Sequence, residues 1–280
     1  MTRAALALSL LMLVLGSPAK AEDAPAPASE PTGAPAPAPD AGWQFSFSPY
    51  IWFVGLDAKV DAAGQSADIN VNFNDIWDAL DVGVLAAAEA RNGRFSLVTN
   101  LIYMKMSTAA EHPFGPLVPV TAAGDFSVRS TVQEIMWEVR PLWEVASLPL
   151  FSDQHRIALD LGPGVRYFWL DSHLDVKLRP GVPIGPFQRR FDSRTNWADW
   201  LGVARVRAQL TDNINVVVSG DWGGWDIGSS SHKTWSVTGF AIYKLGEHWD
   251  LSAGWRRIDV DRGDVDLSMS GPLLGAIYNF

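Results

Sequence analysis

The sequence predicts an all-β fold, specifically an antiparallel transmembrane β-barrel of about ten strands. Three observations support this prediction: apolar and polar residues alternate with period two through ten segments, Trp and Tyr lie near segment ends, and short and long connections alternate. The 280 residues include 13 Trp and 13 Phe, and every Trp lies at or beyond Trp43. Charged residues are 19% of the chain, against about a quarter in an ordinary soluble protein.

Composition excludes several classes of protein. The chain has no cysteine, which excludes disulfides, thiolate metal sites, a Cys nucleophile and a lipid anchor attached through Cys. Its net charge of −9 and its lack of a basic block make nucleic acid an unexpected partner. The mean hydropathy of +0.04 is too low for a bundle of membrane helices.

The N-terminus predicts export. Arg3 precedes an apolar run from Ala4 to Leu15, and Ala19-Lys20-Ala21 follows as a small-x-small cleavage pattern. Residues 1–21 are therefore a predicted signal peptide, because a spanning helix would need about 18 to 20 apolar residues. Residues 22–42 contain six Pro and predict a disordered linker, so the barrel domain is expected at 43–280.

The alternating segments have the polarity of a membrane barrel. In the fifth segment, Leu161, Val165 and Tyr167 share one face, whereas Asp160 and Arg166 lie on the other. Paired Arg and carboxylate groups with interspersed Gly suit an enclosed lumen, and an aromatic-rich face suits lipid. A soluble lipocalin-type barrel is the structural alternative, and it would bury the aromatic face instead.

The connections predict the topology. Asn92-Gly93 and residues 211–213 and 246–247 are short turns, whereas 61–80, 107–124, 178–190 and 223–231 are long connections. Ten strands is the preferred count, with eight or twelve as alternatives, and any even number places both termini in the periplasm. Within the first long connection, Asp68–Phe73 alternates like a strand extending above the membrane. Asn74–Leu80 predicts a short helix at the barrel mouth, with Asp75 near its N-terminus.

The polar face carries a charge set balanced in sign. These side chains are expected to line the lumen, where a charge must find a partner or water. Ion pairs that fill the lumen are the preferred interpretation, and a solute pathway between them is the alternative. The set is Glu89, Arg91, Glu134, Glu138, Arg140, Asp160, Arg166, Asp199, Arg205, Arg207, Asp221 and Arg256.

The aromatic residues near strand ends predict girdles at the two membrane interfaces. Stacking on sugars is a less favoured use of the same side chains. The predicted girdle comprises Trp43, Trp169, Trp222, Trp235, Trp249, Trp255, Tyr278 and Phe280.

One predicted outer loop carries the best candidates for a surface enzyme. These are Asp226, Ser229, Ser230, Ser231 and His232, but their GDWGGWDIGSSS context lacks the spacing of a nucleophile elbow. A solvated loop beside interfacial Trp is therefore favoured. The five His residues lack metal-site spacing. The sequence thus predicts no catalytic, cofactor or metal site.

Several stretches carry a resemblance to a known class. NFNDIWDALDVG, EARNGRFSL, NWADWLGVARVRAQL, GDWGGWDIGSSS and the final GPLLGAIYNF resemble a poorly characterised group of bacterial outer-membrane β-barrel proteins. The likeness covers nearly all of residues 43–280. It implies an outer-membrane location and a C-terminal strand, ending at Phe280, that is read by the barrel-assembly machinery. It implies no reaction and no catalytic residues.

The sequence therefore predicts a non-enzymatic outer-membrane barrel embedded among membrane lipids, with a role in envelope structure or surface interaction. A narrow channel for small solutes is the alternative. An outer-membrane protease or lipid A-modifying enzyme is a third and weaker hypothesis.

Overall fold

The computed structural model describes residues 42–62, 65–113, 125–150, 152–179, 187–263 and 265–280. The predicted signal peptide and the predicted linker up to residue 41 lie outside the described residues. Parts of the predicted connections at 107–124 and 178–190 lie outside them too.

Strands make up almost all of the described chain. Twelve strands and one helix follow in order: β1 (Gln44–Trp52), β2 (Gly55–Ala62), β3 (Gln65–Val71), α1 (Phe73–Ala79), β4 (Leu80–Asn92), β5 (Phe95–Pro113), β6 (Asp125–Leu150), β7 (Ser152–Arg179), β8 (Phe187–Gln209), β9 (Ile214–Gly224), β10 (Lys233–Lys244), β11 (Trp249–Arg262) and β12 (Val265–Asn279). No described helix is long and apolar enough to cross a membrane.

Ten of these strands close into an antiparallel barrel. The ring runs β1-β4-β5-β6-β7-β8-β9-β10-β11-β12, and β12 pairs with β1 to complete it. Closure leaves no free sheet edge within the ring, which a hydrocarbon environment requires. The predicted fold class, an antiparallel transmembrane barrel of about ten strands, is confirmed.

The remaining two strands form a hairpin outside the ring. The C-terminal half of β12 pairs with β1, and its N-terminal half, Val265–Ser270, pairs with β2. Between the two, the Phe53 amide donates to the Pro272 carbonyl, so the hydrogen-bonded ladder continues across the break. β3 then pairs with β2 over Gln65–Val71. The alternating stretch predicted to extend a strand above the membrane is thus largely β3.

A short helix follows this hairpin, one residue earlier than the sequence pattern predicted. Asn72 caps α1: its side chain accepts from the Asp75 amide at 3.2 Å, and the Asp75 carboxylate accepts from the Asn72 amide. This reciprocal pair satisfies two of the amides that a helix start leaves unbonded. Ile76 is the buried residue of the helix.

Four neighbouring strands are much longer than a membrane requires. A tilted strand crosses the hydrocarbon with about 9 to 11 residues, whereas β6 has 26 and β7 has 28. The predicted boundaries of the connections at 107–124 and 178–190 were therefore wrong, because β5 continues to Pro113 and β7 to Arg179. The far ends of β5, β6, β7 and β8 form an outer sheet, called the external extension below.

Cross-strand ion pairs lie on the external extension. Arg190 makes a two-pronged contact with Asp175, at 2.9 and 3.2 Å, and Arg194 contacts Asp171 at 2.6 Å. These residues are directly opposite in the β7–β8 register. Opposite charges facing each other across two strands stabilise that register. The hydrogen bond and charge of Arg190 lower the pKa of Asp175.

The outer surface of the barrel is apolar and rich in aromatic rings. Five predicted girdle residues are largely exposed there: Trp43, Trp222, Trp249, Trp255 and Phe280. Trp169 and Trp235 are half-buried, because Arg194 and Arg257 lie over their rings at 5.7 and 5.5 Å. Tyr278 packs between Trp249 and Phe280, with ring centroids 5.0 and 4.8 Å away.

The interior changes character along the barrel axis, which the sequence analysis did not anticipate. The inward positions nearer the chain termini are mostly polar, whereas those toward the external extension are apolar. On β7, for example, Asp160 and Arg166 are followed by the inward Phe168 and Leu170. The apolar layer, called the plug below, includes Trp52, Val54, Ile76, Ile102, Met136, Phe168, Leu170, Trp197, Ile258 and Val260.

Candidate functional site: a charged lumen beneath an apolar plug

A cluster of ion pairs lies at the centre of the lumen around Arg166. This side chain is fully buried, and its guanidinium donates to Glu138 at 2.6 Å and to both oxygens of Asp221 at 3.0 Å. It also donates to the hydroxyls of Thr234 and Ser236. A buried charge is stable only when its hydrogen-bonding capacity is met in this way.

Two further arginines complete the central cluster. Arg256 donates to both carboxylate oxygens of Glu138, at 2.7 and 2.8 Å. Arg140 contacts Glu138 and Asp221, each at 3.0 Å. Three arginines thus share two carboxylates, which leaves the cluster with an excess of one positive charge.

A second cluster lies nearer the chain termini. Arg205 contacts Asp160 at 2.8 Å and Glu89 at 2.9 Å. Arg207 shares Asp160 at 2.7 Å and reaches Glu144 at 2.8 Å. This cluster is balanced, because Arg91 adds a third cation on Glu144.

Glu144 was missed in the sequence analysis, although the signal was present. The exposed Trp143 precedes it on β6, so period-two alternation already placed Glu144 on the inner face. Tyr50 and Asn100 were also missed: the Tyr50 hydroxyl donates to Asn100 at 2.8 Å, and Asn100 donates to Glu138 at 3.1 Å. Neutral polar residues gave no charge pattern to detect.

All twelve predicted lumen residues lie on the inner side of the barrel wall, but two of them do not pair with arginine. Glu134 is buried beside the plug and has no ion pair among the described residues. Asp199 instead accepts from the amide of Ser231 at 2.7 Å and from its hydroxyl at 3.0 Å. These two residues therefore lie outside the two ion clusters, because the partner that each carboxylate meets depends on which loop or strand folds opposite it.

The loop between β9 and β10 folds into the barrel mouth. Ser230 and Ser231 are buried, so the predicted solvated loop was only partly correct. The Ser230 hydroxyl donates to the Gly224 carbonyl at 2.7 Å. Trp225 and Asp226 both have positive φ, at 62° and 56°, a conformation that costs non-glycine residues energy and needs support from neighbouring contacts.

The exposed part of this loop carries one His–Asp contact. His232 Nδ1 lies 2.6 Å from an Asp226 carboxylate oxygen, and this hydrogen bond raises the pKa of His232. Two of the three candidate hydroxyls point elsewhere, since Ser231 donates to Asp199 and Ser230 to Gly224, and the third candidate, Ser229, is exposed. The loop therefore brings together a base and an acid but directs its buried serines away from them. The described residues contain no group of three His, Asp or Glu suited to a metal ion.

A cavity opens at the end of the barrel that carries the chain termini. It has a volume of about 800 Å³, and its wall runs from Gln44 and Asn279 at the mouth to Tyr50 and Arg256 at the inner end. We call it the vestibule. Arg256 also lies over the ring of Trp52, at 5.5 Å, where the ion cluster meets the plug.

The plug closes the lumen above this boundary. Ile102, Met136 and Ile258 are at most 1% exposed. The rings of Phe168 and Trp197 stack with their centroids 4.6 Å apart, and the Arg262 guanidinium lies over the Trp197 ring, 4.6 Å from its centroid. The lumen is thus an open polar vestibule whose wall includes the second ion cluster, and it is closed at its inner end by the central ion cluster and then by the plug.

Comparison with known proteins yields fold neighbours alone. The chain matches no family model and no curated protein. Among solved structures it is similar to the translocator domain of the autotransporter NalP from Neisseria meningitidis, with 11% identity over 86% of this chain and 89% of that one and a TM-score of 0.34. It is also similar to Neisserial surface protein A, with 11% identity over 87% of this chain and 100% of that one and a TM-score of 0.25.

The attachment invasion locus protein Ail of Yersinia pestis is a third neighbour, with 12% identity over 85% of this chain and 99% of that one and a TM-score of 0.24. These neighbours are bacterial outer-membrane barrels. At such values the likeness carries no further conclusion, and the ring of ten antiparallel strands defines the fold by itself.

Proposed function

We propose that this chain is a non-enzymatic outer-membrane barrel with a sealed lumen, which acts in envelope structure or surface interaction through its external extension. The observation that carries the proposal is the plug above the central ion cluster. Arg166 and Ile258, on either side of the boundary between these layers, are both fully buried. A barrel of about this size is filled by its own side chains, unlike the wider porins.

The external extension supports a role outside the membrane. At about 3.3 Å per residue, the 28 residues of β7 span about 90 Å, roughly three times the thickness of the hydrocarbon core. The paired Asp175 and Arg190 stiffen the part that projects. A protein that acts only within the lipid does not need a long, ordered, charged sheet outside it. Such a sheet suits contact with other molecules at the surface.

The chemistry of the rim supports a non-enzymatic role. The His232–Asp226 contact has no hydroxyl aimed at it from Ser230 or Ser231, which bond to Gly224 and Asp199. Nucleophilic catalysis needs a base within hydrogen-bond reach of the nucleophile. The parent protein and the Asp226→Ala and His232→Ala variants can be assayed for cleavage of peptides or lipid A. A cleavage activity of the parent protein that either substitution abolished would contradict this part of the proposal.

The proposal includes two partners. Membrane lipids contact the apolar outer band, where Trp222 and Trp255 are more than half exposed. The barrel-assembly machinery reads the C-terminal strand, in which Phe280 is exposed and packs edge-on against Tyr278. Deletion of Phe280 is expected to lower the amount of assembled barrel while leaving synthesis unchanged.

Cysteine labelling tests the location and orientation, because the parent chain has no cysteine of its own. Ser229→Cys lies in the exposed β9–β10 loop, and Glu247→Cys in the exposed turn at the opposite end. A membrane-impermeant maleimide is expected to label the first variant on intact cells and the second only after the outer membrane is permeabilised. Labelling of the second on intact cells, or of neither, would contradict the topology.

A narrow solute channel is the second candidate, and the vestibule favours it because half of a pathway is already open. Planar-bilayer recording separates the two functions. The proposal predicts a silent bilayer for the parent protein. Stepwise conductance that is abolished by Arg205→Gln or Glu138→Gln would establish the channel instead.

A further inference from the structure

We propose that the vestibule is a binding site for a small organic anion that carries a carboxylate or phosphate group. The site lies at the end of the barrel that bears the chain termini, which is the periplasmic end in the proposed topology. The binding itself does not depend on what the external extension does at the cell surface.

The wall of the vestibule has an excess of positive charge in an acidic protein. Seven Lys and Arg side chains line it, against four Asp and Glu. Adding the partners behind this wall, Arg166, Asp160 and Asp221, gives eight cations against six carboxylates. The whole chain has a net charge of −9. A cleft lined with one sign of charge and bounded by protein concentrates ions of the opposite sign.

Two cations at the mouth have no carboxylate partner among the residues that the structure describes. Arg156 on β7 and Lys244 on β10 are exposed, and their side chains make no ion pair within the part of the chain that the structure describes. Three of the four vestibule carboxylates pair with arginine, as Glu144 does with Arg91 and Arg207. The fourth, Asp250, lies opposite Lys244 in the β10–β11 register but accepts from Asn279, at 2.9 Å. The free cations are therefore available to a ligand from solution.

Two arginines at the inner end retain unused hydrogen-bond donors. Arg140 and Arg256 are largely buried, and the Nε–H of each lacks an acceptor among the described residues. A buried donor without an acceptor is unfavourable, so these two arginines favour an anion that brings two or three oxygen acceptors to the inner end of the vestibule. The central cluster to which they belong also has one more arginine than carboxylates.

The shape of the cavity suits a small organic anion. Its volume of about 800 Å³ lies in the usual range for small-molecule sites, about 300–1,000 Å³. Between the mouth and the inner arginines, the wall presents neutral polar groups, among them Ser46, Ser48 and Asn215. These groups match hydroxyl or amide substituents on a ligand whose charged end lies against arginine. Arginine forms two-pronged contacts with carboxylate and phosphate alike.

Isothermal titration calorimetry on the intact barrel in detergent tests the proposal. The probes are citrate and inorganic phosphate, with glucose as an uncharged control. At least one anion is expected to bind, and its affinity is expected to fall as NaCl is raised, because salt screens exposed charges. Glucose is expected to give no comparable heat. Binding of one anion but not the other supports the site and identifies the preferred group.

Matched variants separate the vestibule from general charge effects. The double variant Arg156→Gln/Lys244→Gln is expected to weaken anion binding about tenfold, whereas Lys59→Gln/Lys233→Gln, which removes two exposed cations at the opposite end, is expected to leave it unchanged. Heat-modifiable gel mobility checks that both variants fold.

The proposal is overturned if neither anion binds, if glucose binds equally well, or if the two double variants lose affinity to the same extent. A silent or conducting bilayer leaves these outcomes unaffected, so failure of the site and failure of the proposed surface role are distinguishable.

Discussion

Replacing Arg166 with methionine is the sharpest test of the central ion cluster. The substitution removes five hydrogen bonds, which run to Glu138, Thr234, Ser236 and both oxygens of Asp221. Methionine is similar in length and apolar, so it fills the space without offering a donor. The carboxylates then remain buried with fewer partners.

The expected loss of unfolding free energy is about 3 kcal/mol. Breaking a buried ion pair by removal of one partner costs about 3–5 kcal/mol, because a charge remains buried without compensation. The lower end applies here, since Arg140 and Arg256 still contact Glu138, and Arg140 still contacts Asp221. Removal of one arginine also leaves two cations for two carboxylates.

Urea unfolding from lipid vesicles, followed by Trp fluorescence, measures this loss. Arg257→Met is the matched control, because Arg257 forms an ion pair with Asp259 but is about half exposed, at 49%. Surface pairs contribute at most about 1 kcal/mol, so the control is expected to change stability far less.

Equal losses in Arg166→Met and Arg257→Met would refute the reasoning, because burial would then have no effect on the strength of the pair. Full stability in an Arg166→Lys variant would refute the part of the argument that depends on the guanidinium geometry, since an ammonium cannot span Glu138 and Asp221 in the same way.

Three further predictions follow from the plug, from a close backbone approach and from the rim. Ile102→Ala is expected to cost about 2–5 kcal/mol in urea unfolding, because the side chain is 1% exposed within the plug. Gly223→Ala is expected to lower the yield of heat-modifiable barrel, since its Cβ would overlap the Trp200 carbonyl, whereas Gly246→Ala, with open space around it, is expected to be neutral. NMR titration is expected to give a His232 pKa above the ordinary value of 6.5, and a lower pKa in the Asp226→Asn variant. Because the pKa is raised in the folded protein, the stabilisation from this contact is present at pH values below 6.5 and is lost as the pH rises through the pKa of the folded state.

The barrel and its ring of ten strands were predictable because period-two alternation is a local property of the chain. Trp143 and Glu144, for example, are adjacent and must point to opposite sides of any strand. The short helix was predictable for the same reason, but its cap, Asn72, was not identified from the sequence. Neither inference needs knowledge of what lies across the barrel.

The lengths of the strands were less predictable. Residues 107–113 and 178–179 belong to β5 and β7, but the alternation of apolar and polar residues weakens in these stretches of the sequence. Their strand conformation comes from pairing with neighbours, as in the contact between Asp175 and Arg190. A pairing partner far along the chain leaves no local signature.

The plug was hidden by the same alternation that revealed the barrel. Phe168 and Met136 fall at inward positions in step with Arg166 and Glu138, but in the sequence only the charged residues mark the inner face. Alternation tells which way a side chain points. It does not tell that Phe168, Met136 and Ile102 lie at one height.

The sequence by itself determined the alternation, the barrel class, the inward direction of the charges and the outward direction of most aromatic rings, because each depends only on neighbouring residues. The count of ten strands in the ring was preferred over eight or twelve, and the structure decided it. The tertiary structure alone decided which charges meet: Arg205 pairs with Glu89 across 116 positions of sequence, and Asp199 receives Ser231 instead of an arginine. Which side chains lie at the same height in the lumen is set by the tilt and register of the strands, and these are fixed only when the sheet closes on itself.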